Sequence, residues 1–192
     1  MIESFYYPNV LSIGRNLEKG TKKIKTERLI IRKFVPNDWP DLLEYLSDAR
    51  VVKYEPYEPI NQQQSKEIAL SHSESDEFWA VCLKDKVIGN IYLEEVVEDS
   101  WEIGFVFHYD YQHQGYAYEA ASMMLDQVFA QGAHRIFAEC HPDNQSSWRL
   151  LEKLGFTKEA HLRKNIFFNK AEDGTPLWQD TLVYGLLTED RA

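Results

Sequence analysis

The apolar periodicity of this chain changes abruptly between Trp101 and Gln131, and that change constrains the fold more than any other stretch. Trp101, Ile103, Phe105 and Phe107 recur at every second position, the spacing of a strand with one strongly apolar face. From Ala117 onward the period lengthens. Ala117, Ala120, Ala121, Met124, Leu125, Val128 and Phe129 fall three and four residues apart, as on one side of a helix, and Gly132 supplies a stop. Between the two patterns lies the run Gln112 to Ala117, in which Gly115 and Ala117 are small enough for a ligand to approach the backbone. The first turn of a helix has N–H groups without intrahelical partners, and the aligned peptide dipoles make that end positive. A strand, a small-residue turn and a helix in this order therefore suit an anion, most naturally a phosphate or pyrophosphate. The same turn also suits plain chain reversal, so a second signal is needed.

That signal lies downstream. Residues 144 to 156 read Asn-Gln-Ser-Ser-Trp-Arg-Leu-Leu-Glu-Lys-Leu-Gly-Phe. Asn144 is a favoured N-cap type, Trp148, Leu151 and Leu154 give a buried stripe, and Gly155 closes the helix. The two segments together resemble the GNAT N-acetyltransferases, in which a Gln/Arg-x-x-Gly-x-Gly/Ala turn binds the pyrophosphate of acetyl-CoA. Gln112, Gly115 and Ala117 match that turn. Asn144, Ser147, Glu152, Lys153, Gly155 and Phe156 match the later family helix. Within the superfamily the chain is similar to the RimJ/RimL type, on Thr26-Glu-Arg-Leu-Ile-Ile-Arg32, Trp101-Glu-Ile-Gly104 and Gly115-Tyr-Ala-Tyr-Glu-Ala120. The resemblance runs from residue 25 to residue 187. It divides the chain into an N-terminal extension (1–24), an acetyltransferase domain (25–187) and a C-terminal tail (188–192). It implies an α/β (α+β) architecture: a mixed, mostly antiparallel twisted sheet of about six or seven strands with about four helices, splayed between its fourth and fifth strands.

The remaining segments fit that architecture. Leu29 and Ile31 mark a first strand, and Pro36-Asn37-Asp38 starts a helix carrying Trp39, Leu42, Leu43 and Leu46. Val51 to Ile60, with two prolines and two acids, reads as an exposed loop, and Gln62 to Ser73 as a second helix. Phe78–Leu83 and Val87–Leu93 form an antiparallel hairpin around Lys84-Asp85-Lys86. Arg135–Cys140 is a strand reached through a helix, hence parallel to the Trp101 strand. Two more strands lie near 156–163 and 179–187. In residues 1–24, Phe5, Tyr6, Tyr7, Val10, Leu11 and Ile13 precede a lysine-rich linker. They suggest either packing on the domain or a second subunit, or a partly ordered extension.

Composition narrows the function classes. At 192 residues and 44% hydrophobic content the chain suits one globular domain. No apolar run approaches the roughly 20 residues that span a bilayer. The N-terminus lacks the basic-then-apolar order of a secretory signal. Cys82 and Cys140 give neither a metal spacing nor a disulfide framework, so a cytoplasmic protein without membrane partner or metal is expected. The net charge of −10 argues against nucleic acid, which needs a basic footprint, and suits either an amine-bearing substrate or simple solubility.

By resemblance, acetyl-CoA is the co-substrate, and the acceptor is an amine-bearing small molecule or a protein N-terminus, such as that of a ribosomal protein. The acceptor attacks directly in a ternary complex, in a monomer or homodimer. The backbone of Phe105, Val106 and Phe107 would pair with the pantetheine arm, and an N–H at Val106 or Phe107 would hold the thioester carbonyl. The pyrophosphate falls to Gln112, His113, Gln114, Gly115, Tyr116, Ala117 and Tyr118, chiefly through main-chain donors, and Asn144 would meet the pantetheine arm. Glu102 is the first candidate for the base that takes the amine's proton, with a purely structural carboxylate as the alternative; His108 is the second candidate. Glu119 reads as a favourable charge at the positive helix end. Ser147 is the candidate acid for the leaving thiolate, because Leu151 stands where many of these enzymes carry a tyrosine; otherwise water serves and Ser147 only caps the helix. Nothing supports a covalent route through Cys140. Tyr54, Tyr57 and Glu58, in the region that overhangs the acceptor in such families, are candidate substrate contacts. The rival reading is a non-catalytic acyl-CoA-binding regulatory protein on the same fold.

Overall fold

The computed structural model describes residues 23–191, so the N-terminal extension lies outside the described residues apart from Lys23 and Ile24. In chain order the elements are β1 (Ile24–Lys25), β2 (Ile30–Lys33), α1 (Trp39–Leu46), α2 (Gln62–Glu74), β3 (Phe78–Leu83), β4 (Lys86–Val97), β5 (Ser100–Phe107), α3 (Tyr116–Ala130), β6 (Arg135–Cys140), α4 (Gln145–Lys153), β7 (Thr157–Ile166) and β8 (Gln179–Leu187). The strands form a single sheet in the order β1-β2-β3-β4-β5-β6-β8-β7. Every neighbouring pair is antiparallel except β5 and β6, which α3 connects. Described strands number eight, one more than the expected upper count, because the two-residue β1 pairs with β2 at the sheet edge. Two residues are too short to leave a periodic signal.

Side-chain alternation along β5 sorts the interior into two layers. Trp101, Ile103 and Phe107 face one core together with Ala120, Ala121, Met124, Leu125 and Val128 of α3 and Leu151 of α4. Alanines on the inner side of α3 let it sit close to the sheet. Truncating Met124 or Leu125, both without exposed surface, is worth about 2–5 kcal/mol. On the other face, Ala80, Cys82 and Val87 pack against Leu42, Tyr45 and Leu46 of α1 and Ile68 of α2. The segment 51–60 departs from the exposed loop its prolines suggested. Val52 and Ile60 are buried in this second core, with Tyr57 packed on its edge. Two apolar residues eight apart anchor the ends of a loop that sequence composition makes look solvated. At the C-terminus, Arg191 donates to Asp126 and Ser122, so the helical turn Thr188–Arg191 is tied to α3.

One feature of the sheet positions everything else. β4 stays in register with β5 as far as Phe107, and β6 stays with β8 as far as Cys140. β5 and β6, however, pair only through Ser100↔Arg135, Trp101↔Ile136 and Glu102↔Phe137. Beyond Glu102 the two central strands part. In the middle of an eight-stranded sheet, Gly104, Phe105 and Val106 are consequently half-buried where full burial would be normal.

Candidate active site

The opening between β5 and β6 leaves main-chain groups of β5 that point away from β4 without sheet partners from Ile103 onward. Phe107 itself is buried in the first core, and its carbonyl accepts from the Gln112 side chain at 2.9 Å. That bond turns the chain out of the strand and into the loop. Gln114 fastens the loop from the other side, its side-chain amide donating to the Asp110 carbonyl at 2.6 Å. Gln112 and Gln114 are thus internal struts of the turn.

His113 (φ 58°) and Gly115 (φ 84°) both adopt left-handed backbone, so the turn curls around its own N–H groups. The Gln112 N–H bonds to the Tyr109 carbonyl and the Glu119 N–H to the Gly115 carbonyl. Between these two, the six N–H groups of His113, Gln114, Gly115, Tyr116, Ala117 and Tyr118 bond to no described residue. Successive free amides at the positive end of a 15-residue helix make a concavity of the kind that suits an anion. The rings of Tyr116 and Tyr118 each lie under a cation: Arg28 over the Tyr116 ring at 4.4 Å and Lys153 over the Tyr118 ring at 4.5 Å.

Sequence reasoning gave Arg28 no role, yet it borders this concavity. Its Nη1 donates to the Gln114 carbonyl at 3.0 Å and its Nε to Glu119 at 2.6 Å. A Cβ built on Gly115 would come within 3.2 Å of its Nη2. Glu119 also accepts from the Thr26 hydroxyl and the Arg28 N–H. Its charge at the helix start therefore ties the entry of the domain to α3, and these bonds hold its carboxyl below the ordinary range against the effect of burial.

Glu102 sits at the apex of the opening, on the β5 face away from the first core. It is 8% exposed and has neither a hydrogen bond nor an ion pair among the described residues. Burial, reinforced by Glu139 and Glu94, pushes its carboxyl up to about 7. Glu94 stands directly opposite on β4, and Glu139 lies two residues beyond its β6 partner Phe137. Register alone generates this triplet.

His108, the other candidate base, is committed elsewhere. It is 7% exposed, its Nδ1 accepts from the Asp110 N–H at 3.1 Å, and its Nε2 lies 3.1 Å from Glu44. An accepting Nδ1 places the hydrogen on Nε2, which donates to Glu44. Both ring nitrogens are therefore engaged within the protein.

On α4, the Asn144 side chain accepts from the Ser147 N–H at 3.2 Å. Asn144 is the cap, leaving the Ser147 hydroxyl free of that task. The hydroxyl lies beside the Cys140 thiol, which burial pushes up to about 11 although Ser147 works the other way. A thiol so raised stays protonated at neutral pH and is a poor nucleophile. The 51–60 loop reaches the far end of β6, where Tyr54 stacks on His141 with ring centroids 5.1 Å apart. Tyr57 and Val106 pack on the same core, whereas Glu58 is exposed. The loop also contains Glu55, which sequence reasoning passed over; burial pushes its carboxyl up to about 7.

The family description "Acetyltransferase (GNAT) domain" matches residues 28–157. A protein of Bacillus subtilis (strain 168) named uncharacterized N-acetyltransferase YnaD is 36% identical over 172 residues, spanning 87% of this chain and 98% of its own. The crystal structure of an acetyltransferase (GNAT family) from Bacillus anthracis superposes with a TM-score of 0.79 at 34% identity, covering 88% of this chain and 99% of that one. More distant is the ribosomal protein uS5-alanine N-acetyltransferase of Escherichia coli (strain K12), 25% identical over 185 residues, or 88% and 92% of the two chains. With its sheet opened between β5 and β6 and its amide-lined turn before α3, the chain belongs to the GNAT family of N-acetyltransferases.

Proposed function

We propose that this protein moves the acetyl group of acetyl-CoA onto a primary amine by direct attack, with Glu102 as the base. Acetyl-CoA supplies an acetyl thioester and carries a diphosphate. The six free N–H groups from His113 to Tyr118 fit that diphosphate, and Arg28 adds a fixed positive charge at the rim. The unpaired backbone of β5 around Phe105 and Val106 suits the amide-bearing arm, and a β5 N–H aimed at the thioester oxygen steadies the charge that develops there. A donor of that kind is worth about 3–4 kcal/mol where one has been removed from other enzymes.

The observation that carries the reading is the Glu102 carboxylate: nearly buried, without a partner among the described residues, and placed where the strands part. Near pH 7 it is balanced between its two protonation states, as a base must be to accept a proton and release it again. As the amine nitrogen bonds to the carbonyl carbon, its proton passes to Glu102, directly or through a water. The carbon–sulfur bond breaks and the thiolate takes a proton from the Ser147 hydroxyl or from water. Tyr54 and Tyr57 line the acceptor side, with Glu58 at its outer edge. The acceptor is a small amine or a protein N-terminus; the uS5-alanine relative is named for an alanine of a ribosomal protein.

Acceptor-stimulated release of thiol from acetyl-CoA, measured over small amines and short peptides, tests the proposal. Release with at least one amine, greatly reduced in Glu102→Gln, is expected. Tight acetyl-CoA binding with no release for any acceptor would instead make the protein a non-catalytic acyl-CoA binder.

A further inference from the structure

On the acceptor side of the opening the chain tolerates an arrangement that costs it stability. Glu94 and Glu102 are directly opposite across the β4–β5 pair, and like charges so placed repel. Glu139 joins them from β6, on the same face as Glu102, and both neighbours act on the Glu102 carboxyl. No described cation pairs with any of the three. The Tyr92 hydroxyl donates to Glu94, and the nearby Arg135 is already engaged by Glu159. Glu102 is the independent sign of a ligand: more than nine-tenths buried, it extends a carboxylate with no partner among the described residues into the space that its two neighbours flank.

The floor of that space is equally specific. A side chain placed on Gly104, mid-strand between Glu102 and Val106, would meet only Tyr92 within 4 Å. The corridor leading to Glu102 is therefore open at its floor, and the 51–60 loop, braced on His141 through Tyr54, stands at its outer end. An opening beside three carboxylates fits an aliphatic molecule with more than one positive charge.

We propose that the acceptor is a short aliphatic diamine or polyamine: Glu94 and Glu139 hold one ammonium group while Glu102 takes the proton from the other nitrogen. This rests on the acetyl-transfer reading above and names its substrate class. In the transfer the N–C bond forms as the C–S bond breaks, the amine proton goes to Glu102, and CoA leaves as a thiolate that takes its proton from Ser147 or water. The second ammonium is unchanged throughout.

Calorimetric titration of the CoA-saturated protein with 1,4-diaminobutane and with n-butylamine tests the inference without requiring turnover. Thiol release with the same two amines runs in parallel. One additional charge-assisted hydrogen bond predicts at least about tenfold tighter binding of the diamine. That advantage should shrink severalfold in Glu94→Gln and in Glu139→Gln, the second variant serving if the first loses its fold along with the Tyr92 contact. Equal affinity for the two amines overturns the proposal, as does an advantage that survives both substitutions. Tighter binding of an Ala-Lys peptide than of the diamine also overturns it, by giving the basin to a protein N-terminus. Selective diamine binding with no thiol release from any amine overturns the acetyl-transfer reading and, with it, the diamine's role as acceptor, leaving only a diamine-binding site.

Discussion

Replacing Glu102 by Gln separates catalysis from stability in opposite directions. In the folded protein the carboxyl titrates near 7, against an ordinary 4.5. Between those values the folded state holds a proton that the unfolded state has released, so stability falls as pH rises through the window. Each pH unit of that difference is worth about 1.4 kcal/mol, and a fully developed difference costs about 3 kcal/mol above pH 7. Gln keeps the shape of the protonated acid and never ionises. At pH 8 the variant should therefore be more stable by about that amount. For a chain of this size that is an increase in Tm of roughly 6–12 °C. Near pH 4.5, where folded wild type is protonated, the difference should vanish. Thermal unfolding of both proteins by circular dichroism at half-unit intervals from pH 4.5 to 8.5 measures the curve directly. Turnover should fall by about 10² to 10⁴, the usual contribution of a positioned base. A Tm difference that is flat with pH would show that Glu102 has an ordinary carboxyl and would remove the physical ground for its role.

Further substitutions probe the donor side. Gly115→Glu puts a carboxylate beside Arg28 in the concavity and forces a side chain into left-handed backbone at about 1–2 kcal/mol; acetyl-CoA affinity by calorimetry should drop beyond detection, and unchanged affinity contradicts the cradle. Arg28→Ala should raise KM for acetyl-CoA about tenfold and leave KM for the amine alone. Arg28→Lys should not restore it, since a point charge cannot bond Glu119 and the Gln114 carbonyl while stacking on Tyr116. Ser147→Ala should lower kcat severalfold with a stability change within about 0.5 kcal/mol, because Asn144 supplies the cap; an unaltered kcat assigns thiolate protonation to water.

What could be read from the sequence was local. The switch of period at Ala117 located β5 and α3. Arg135–Cys140 followed as the strand reached through that helix, and Asn144 announced its own helix. Glu102 was visible as the polar residue alternating off an apolar face. What escaped depends on residues distant in sequence. Arg28 reaches Glu119 across 91 positions, so its place at the cradle follows from the sheet and not from any neighbouring pattern. Glu94 and Glu139 flank Glu102 only once register is known. His108 looked available because Glu44, which occupies it, lies 64 residues away. The 51–60 loop misled through its composition: prolines and acids masked Val52 and Ile60, the two residues that fix it to the core.

The central claim is that the free amides entering α3 hold the diphosphate of acetyl-CoA. Amide-resolved NMR of the ¹⁵N-labelled protein, titrated with CoA, tests it most directly. The account predicts large downfield shifts and slowed solvent exchange for the N–H groups of His113 to Tyr118, with smaller changes along β5 at Phe105 and Val106. Saturable CoA binding that leaves those six resonances in place would contradict it.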